Sequence, residues 1–258
     1  MILEYKNANI FYTDEGKGTA IVLIHGFLEN TTMWHKITPE LSKRNRIITI
    51  DLLGHGKSDC LGYMHSMEVF AETINAVLKH LRIRKCILIG HSLGGYVALA
   101  FAEKNPQKVK GLCLMNSTSN DDDDERKTLR LRANKMIQNN FTNMVRMSFA
   151  NLFGEKSKTL HKDEMETSLK EALQTPIQGY IAAQEGMRIR PNRNNILTEN
   201  SFKKLIIIGE KDPVLNFEMS LAEAKKTTSE FVVFPNGHMS HIENKEELIE
   251  TLKGFIKK

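Results

Sequence analysis

A chain of 258 residues with 41% hydrophobic and 26% charged side chains has the composition of one soluble α/β domain with a sizeable core and room for an inserted segment. No apolar run approaches the ~20 residues that span a bilayer. The N-terminus has no basic region ahead of a long apolar one, so neither a membrane span nor a signal peptide is expected. The net charge of +5 is scattered without aromatic-basic alternation, which fits a lysine-rich solvated surface and argues against a nucleic-acid partner.

In chain order, Met1–Tyr12 alternates as a strand hairpin does. Short apolar runs rich in β-branched residues follow at Ile21–Ile24, Arg46–Ile50, Lys85–Ile89, Gly111–Met115, Leu205–Ile208 and Phe231–Phe234. Runs without polar alternation suit strands inside a parallel sheet covered on both faces. Between two of them, Ser66–Leu81 places Val69, Phe70, Ile74, Val77, Leu78 and Leu81 at helical intervals. Alternating strands and helices predict an α/β fold with a mostly parallel, doubly wound sheet and right-handed crossovers. Sites in such sheets lie beyond the carboxyl ends of the strands.

From 117 to 201 the strand rhythm stops. Thr128–Gln138 carries Leu129, Leu131, Met136 and Ile137, and Phe141–Phe153 carries Phe141, Met144, Val145, Phe149, Leu152 and Phe153. Structureless loops of this length are rare. The expectation is a helical cap insertion, 117–201, in a core domain made of 1–116 and 202–258. Met136, Met144 and Met147 suit an adaptable acyl pocket within it. The run Asp121–Glu125 reads as a solvated linker that feeds negative charge into a helix start, and it lacks the glycine and spacing of a calcium loop. Cys60, Cys86 and Cys113 show no metal spacing. Cys86 and Cys113 fall in apolar runs as reduced core residues, which points to a cytoplasmic protein. No cofactor and no metal site is expected.

The chemistry concentrates in Ile87-Leu-Ile-Gly-His-Ser-Leu-Gly-Gly-Tyr-Val-Ala-Leu-Ala-Phe101. A β-rich run ends at Gly90, Ser92 follows, and helix formers begin at once. This is a G-x-S-x-G nucleophile elbow in the strand–turn–helix context it needs. Gly90 and Gly94 leave space around a strained serine, and Gly95 lets the helix approach the sheet. A serine hydroxyl needs a base, and the base needs an orienting acid. Asp212, in Gly209-Glu-Lys-Asp-Pro213, stands just after a later strand, with a proline to fix its turn. Glu210 lacks that proline, and the corresponding point after the earlier strand is Asn116-Ser117, without a carboxylate. Two histidines follow the last strand. His238, after Gly237, is preferred as base, and His241 is expected beneath the loop, near a helix that Asn244 caps with Glu247. His91 is assigned a packing or hydrogen-bonding role. The oxyanion donors are expected to be the backbone N–H groups of Leu93 and Phe27, with Gly26 allowing close approach and His25 fixing the loop.

With these residues the chain resembles the α/β-hydrolase fold superfamily, in its broad group of cap-bearing serine esterases. The motifs that carry the resemblance are His25-Gly-Phe27, Asp51-Leu-Leu-Gly-His-Gly-Lys-Ser58, Gly90-His-Ser-Leu-Gly-Gly95, Gly209–Pro213 and Gly237-His-Met-Ser-His-Ile-Glu243. They span the chain apart from the insertion. The resemblance implies an architectural role for the Asp51–Ser58 loop. Serine at 92 separates the chain from the haloalkane dehalogenases and epoxide hydrolases of the same fold, which use an aspartate. The superfamily hosts many reactions on one triad, so fold does not choose among them. The first expectation is a carboxylic-ester hydrolase, a carboxylesterase for small to medium, mainly apolar acyl groups, acting through an acyl-enzyme. An alternative is a C–C bond or enol-lactone hydrolase whose substrate carboxylate is gripped by Arg188, Arg190 or Arg193. A third, of another class, is a non-enzymatic ligand receptor. The expected partner is a small-molecule ester, and the residues set no oligomeric state.

Overall fold

The structure is a computed structural model that describes residues 1–257, the side chain of Glu155 apart. Its eight strands are β1 (Ile2–Tyr5), β2 (Ala8–Gly16), β3 (Thr19–Ile24), β4 (Asn45–Ile50), β5 (Cys86–His91), β6 (Val109–Met115), β7 (Lys203–Gly209) and β8 (Glu230–Phe234). They form one sheet in the order β1-β2-β4-β3-β5-β6-β7-β8. The β1–β2 hairpin joins antiparallel to β4, and the pairs from β4 to β8 are parallel. Alternate side chains of one strand serve opposite faces. In β3, Val22 and Ile24 enter one core cluster, while Ile21 and Leu23 enter the other. The run Phe231–Phe234 reads as interior, but β8 is the edge of the sheet, with Phe231 and Val233 exposed.

The helices are α1 (Thr38–Ser42), α2 (Met67–His80), α3 (Leu93–Lys104), α4 (Asp124–Ile137), α5 (Phe141–Ala150), α6 (Glu155–Leu160), α7 (Lys162–Ala172), α8 (Ile177–Arg188), α9 (Asn194–Glu199), α10 (Phe217–Lys226), α11 (Ser240–Glu243) and α12 (Lys245–Lys257). Ser66 caps α2 by accepting the Val69 N–H, and the helix buries Phe70, Ile74, Val77 and Leu78. No helix among the described residues is long and apolar enough to cross a membrane.

Helices α4–α9 lie between β6 and β7. Helix α4 begins four residues before the periodicity suggests, because Asp123 accepts the Arg126 N–H at 2.7 Å and caps it. Its Leu129, Leu131 and Met136 are exposed, and only Ile137 of the four reaches a core. Asp122 is not solvated as a linker would be. It is buried among Arg126, Arg130 and Arg190. A third core cluster joins Val145, Phe149, Phe153 and Tyr180 of this region to Leu28 and Met239 of the sheet loops. Helix α8 is pressed onto the loop after β4, where a Cβ on Gly179 would stand 2.1 Å from the Gly54 carbonyl. Asn244 has a buried Oδ1 without a hydrogen bond, so it does not cap α12.

Candidate active site

Ser92 connects β5 to α3 with φ 48° and ψ −115°, a conformation a non-glycine residue holds at a cost of about 1–3 kcal/mol. The surrounding backbone enforces it. A Cβ on Gly90 would come 2.3 Å from the Gly94 carbonyl, one on Gly94 2.3 Å from the Ile24 carbonyl, and one on Gly95 2.2 Å from Ser117 Oγ. Ser92 N–H donates to the Met115 carbonyl at 3.0 Å, and Ser117 Oγ donates to the Ser92 carbonyl at 2.7 Å. Leu93 N–H is the first of helix α3 and has no intrahelical acceptor. Among the described residues, neither it nor Phe27 N–H donates to another protein group.

Asp212 follows β7. Its Oδ1 accepts the Val214 and Leu215 N–H groups, and its Oδ2 accepts His238 Nδ1–H at 2.8 Å and Asn116 Nδ2–H at 3.1 Å. Burial pushes this carboxyl up, but the His238 ring and the Val214 and Leu215 N–H groups outweigh it and hold the pKa below the usual value. Asn116, dismissed as an acid, proves to be a brace: it also donates to the Gly237 carbonyl and accepts Ser240 Oγ–H. Glu243 accepts the Met239 N–H at 3.0 Å, tightening the loop that carries His238. Glu210 is exposed and takes no part.

A buried carboxylate that sequence reasoning missed stands at the centre of these loops. Glu29 Oε2 accepts the Gly26 N–H at 2.7 Å and His91 Nδ1–H at 2.6 Å, and His91 Nε2–H donates to the His238 carbonyl at 2.9 Å. This bridge ties the loop after β3, the elbow and the histidine loop together. Burial works against both charges. The imidazole nonetheless holds Glu29 down to about 2, and the carboxylate and the two hydrogen bonds hold His91 above its ordinary value. A carboxylate oxygen faces one ring nitrogen of His91 and a carbonyl oxygen the other, and since both are acceptors each nitrogen donates a proton. The one local mark of this arrangement is Gly26, where a Cβ would come 2.4 Å from Glu29 Oε2. His25 Nε2 accepts the Leu52 N–H and Nδ1–H donates to the Gly26 carbonyl, so it locks the same loop. His241 is buried with Nε2 3.6 Å from Glu29 Oε1, and burial lowers its pKa to about 4. Glu29, His91 and His241 form the only group among the described residues with the donor set of a metal site, their ligand atoms within 4.8 Å. With both His91 nitrogens donating protons, no lone pair is left there for a metal.

A cavity of about 100 Å³ brings Ser92, His238 and Phe27 together under Arg126, Arg130, Leu152 and Met187. Met136 and Met147 are exposed and Met144 packs in the third core, so the methionine that lines the cavity is Met187. The arginines that the alternative reading puts on a substrate carboxylate lie elsewhere. Arg188 pairs with Glu185 one turn back, Arg190 is buried against Asp122 and the Tyr96 ring, and Arg193 pairs with Glu68 and Glu103. A larger cavity of about 570 Å³ is lined in part by Glu29 and His241, but by none of Ser92, Asp212 and His238.

The sequence profile of the alpha/beta hydrolase fold matches residues 19–245. An esterase from Thermogutta terrifontis, solved with malate bound, is 30% identical with a TM-score of 0.92, covering 97% of this chain and 93% of its own. The enol-lactonase of Burkholderia xenovorans LB400 superposes over 100% of both chains with a TM-score of 0.92 at 17% identity, a likeness of fold alone. The 3-oxoadipate enol-lactonase 1 of Acinetobacter baylyi is 25% identical, with 92% of this chain and 88% of that protein covered. The first curated relatives are longer: the chain spans 30% of the length of uncharacterised proteins from Mycobacterium bovis and Mycobacterium tuberculosis, at 41% identity over 102 residues.

Proposed function

The chain belongs to the alpha/beta hydrolase fold family, and from that premise we propose that it is a serine hydrolase cleaving carboxylic esters of small to medium acyl groups with an apolar stem. The observation that carries this reading is one cavity shared by Ser92, at its strained elbow, and His238, whose Nδ1–H is held by Asp212. Ser92 Oγ attacks the acyl carbonyl while His238 Nε2 takes its proton. The tetrahedral oxyanion lies between the N–H groups of Phe27 and Leu93. His238 then returns the proton to the leaving alkoxide as the C–O bond breaks. Water, deprotonated by the same nitrogen, adds to the acyl-enzyme and releases the acid and Ser92. Asp212 keeps the imidazole in the tautomer with Nδ1–H and stabilises its cation. Residues 117–201 act as the cap that shapes the acyl site.

A cavity of about 100 Å³ is small beside the ~300–1,000 Å³ of drug-sized ligand sites, which supports short acyl chains. The relatives' names, an esterase and an enol-lactonase, support an ester or lactone carbonyl as the target. The test is turnover of p-nitrophenyl butyrate together with labelling by an alkyl fluorophosphonate. The wild type is expected to turn over and to gain one covalent group by mass, and Ser92→Ala to do neither. A labelled Ser92→Ala protein would overturn the serine assignment. A stable wild type with no turnover and no label would favour a ligand receptor.

A further inference from the structure

The ceiling of the cavity carries charge that the hydrolytic steps do not use. Asp122 is the one buried carboxylate among the guanidinium groups of Arg126, Arg130 and Arg190, at 3.7, 2.5 and 2.8 Å. Three cations on one anion leave two positive charges. Asp123, Asp124 and Glu125 beside them are exposed and screened, and Glu185, the other acid packed near by, is engaged by Arg188 and Asn134. Gln184, which accepts from Arg130 Nη1, is neutral.

Arg190 is sealed against Tyr96 behind this layer, whereas Arg126 and Arg130 line the cavity with Ser92 and His238. Their donors are only partly used. Arg126 gives one hydrogen bond, to the Val214 carbonyl, and Arg130 bonds Asp122 and Gln184. A guanidinium has five N–H groups, so both keep donors to spare. Arg130 is largely withdrawn from solvent, its side chain 12% exposed, where an uncompensated cation is costly. A planar, doubly donating cation pair in a partly dry cavity is suited to a carboxylate.

We infer that Arg126 and Arg130 are the far end of the acyl site and bind a second carboxylate of the substrate, so that the preferred substrates are half-esters of short dicarboxylic acids or the corresponding lactone acids. This rests on the proposed hydrolase reading. A cavity of about 100 Å³, small beside the ~300–1,000 Å³ of drug-sized ligand sites, favours a short spacer between the scissile carbonyl and the arginines, the succinyl and glutaryl range. It also replaces Arg188, Arg190 and Arg193 as the residues that could grip such a group.

The experiment compares kcat/KM for p-nitrophenyl hemisuccinate with that for p-nitrophenyl butyrate, two acyl chains of equal length that differ in the terminal charge. The wild type is expected to prefer the hemisuccinate by about tenfold or more. That ratio should shrink as sodium chloride is raised. In Arg126→Gln, a half-exposed position, it should fall about 10- to 100-fold, and Arg126→Lys should restore part of it, because charge returns without the planar fork. Equal or better turnover of the butyrate by the wild type, or a ratio unmoved by Arg126→Gln, would overturn the inference. If neither ester turns over and no phosphonate label forms, it is the hydrolase reading that fails. The subsite is then judged by whether succinate raises the Tm of Ser92→Ala, and whether adding Arg126→Gln abolishes the rise; no rise would overturn it.

Discussion

In the loops at the carboxyl ends of β3, β5, β7 and β8, polar side chains are held by backbone groups. His25 takes the Leu52 N–H, Asp212 takes those of Val214 and Leu215, Glu243 takes that of Met239, and His91 gives to the His238 carbonyl. In α4–α9 more of the contacts join side chains to one another, Arg130 to Asp122 and Gln184, Asn134 and Arg188 to Glu185, with Arg126 giving to the Val214 carbonyl as an exception. Backbone partners do not change when a residue is exchanged, so the first region is fixed to a few residue types. Side-chain pairs can be swapped as units. The expected division is that changes in the loops lower turnover of every acyl group alike, whereas changes in α4–α9 reorder the acyl groups.

The largest effect belongs to the loops. His238→Ala should lower kcat by about 10⁴-fold or more for every ester, since members of a triad act as a unit. His241→Ala, three residues along and facing Glu29 rather than Asp212, should cost less than about tenfold. Stopped-time assays over acetyl, butyryl and hexanoyl esters would check both. A flat loss of the same size in Leu152→Ala would break the division between loops and helices.

How much of this is legible in the sequence follows from the same division. The candidates Ser92, Asp212 and His238, two of which share a cavity and two a hydrogen bond, are legible because the backbone around each needs particular neighbours, Gly90 and Gly94, Pro213, and Gly237, within a few positions. Asn116 leaves no such mark and Glu29 only Gly26, a glycine with several other readings, since their side-chain partners Asp212 and His91 are 96 and 62 residues away. In α4 the pattern misleads. Leu129, Leu131 and Met136 suggest a packed face yet are exposed, and the cavity is lined instead by Arg126 and Arg130 of the same helix. A charged side chain on a charge-rich helix has no periodicity to show which way it is used. Likewise nothing in Phe231–Phe234 distinguishes an edge strand from an interior one, because that depends on the absence of a further neighbour.

Acid should act through the loop region too. Burial holds His55 at about 3 and His65 and His241 at about 4, against about 6.5 when unfolded. Below about pH 6.5 the unfolded chain takes up protons that the folded chain refuses. Their contribution to stability is therefore complete above that pH and is lost as pH falls towards 4, each at ~1.4 kcal/mol per unit. His91 runs the other way: its contribution is present in acid and lost as pH rises through its raised value. Urea midpoints should fall by several kcal/mol equivalents between pH 7 and pH 5, and His241→Gln should make that fall shallower by about one proton. Midpoints that hold constant over this range would mean the histidines are not neutral and buried.

The Glu29–His91 bridge gives a smaller, sharper test. Glu29→Gln keeps the volume and can still accept the Gly26 N–H, but it removes the charge that makes His91 a double donor. The loops should lose alignment and not substrate affinity, so kcat should drop about 10- to 100-fold with KM little changed. The alkaline side of the pH–kcat profile should move to lower pH, because His91 sheds its proton more easily. A variant that loses Tm with its pH profile unmoved would reduce the bridge to a structural tie.

The smallest effect tests the helices. Leu152 and Met187 line the cavity, and each methylene buried there is worth roughly 0.8 kcal/mol. From acetyl to butyryl two are added, so kcat/KM should rise about tenfold if the contact is kept in the transition state. Longer chains exceed a cavity of about 100 Å³ and should fall again. Met187→Ala should move the optimum to a longer acyl chain while leaving the acetyl ester least affected, because acetyl does not reach it. The two regions are then separable by a single comparison, the position of the optimum against its height. A loop variant such as Glu29→Gln should lower the height and leave the optimum where it was, and a Met187→Ala protein that did the same would show that the helices do not set acyl length.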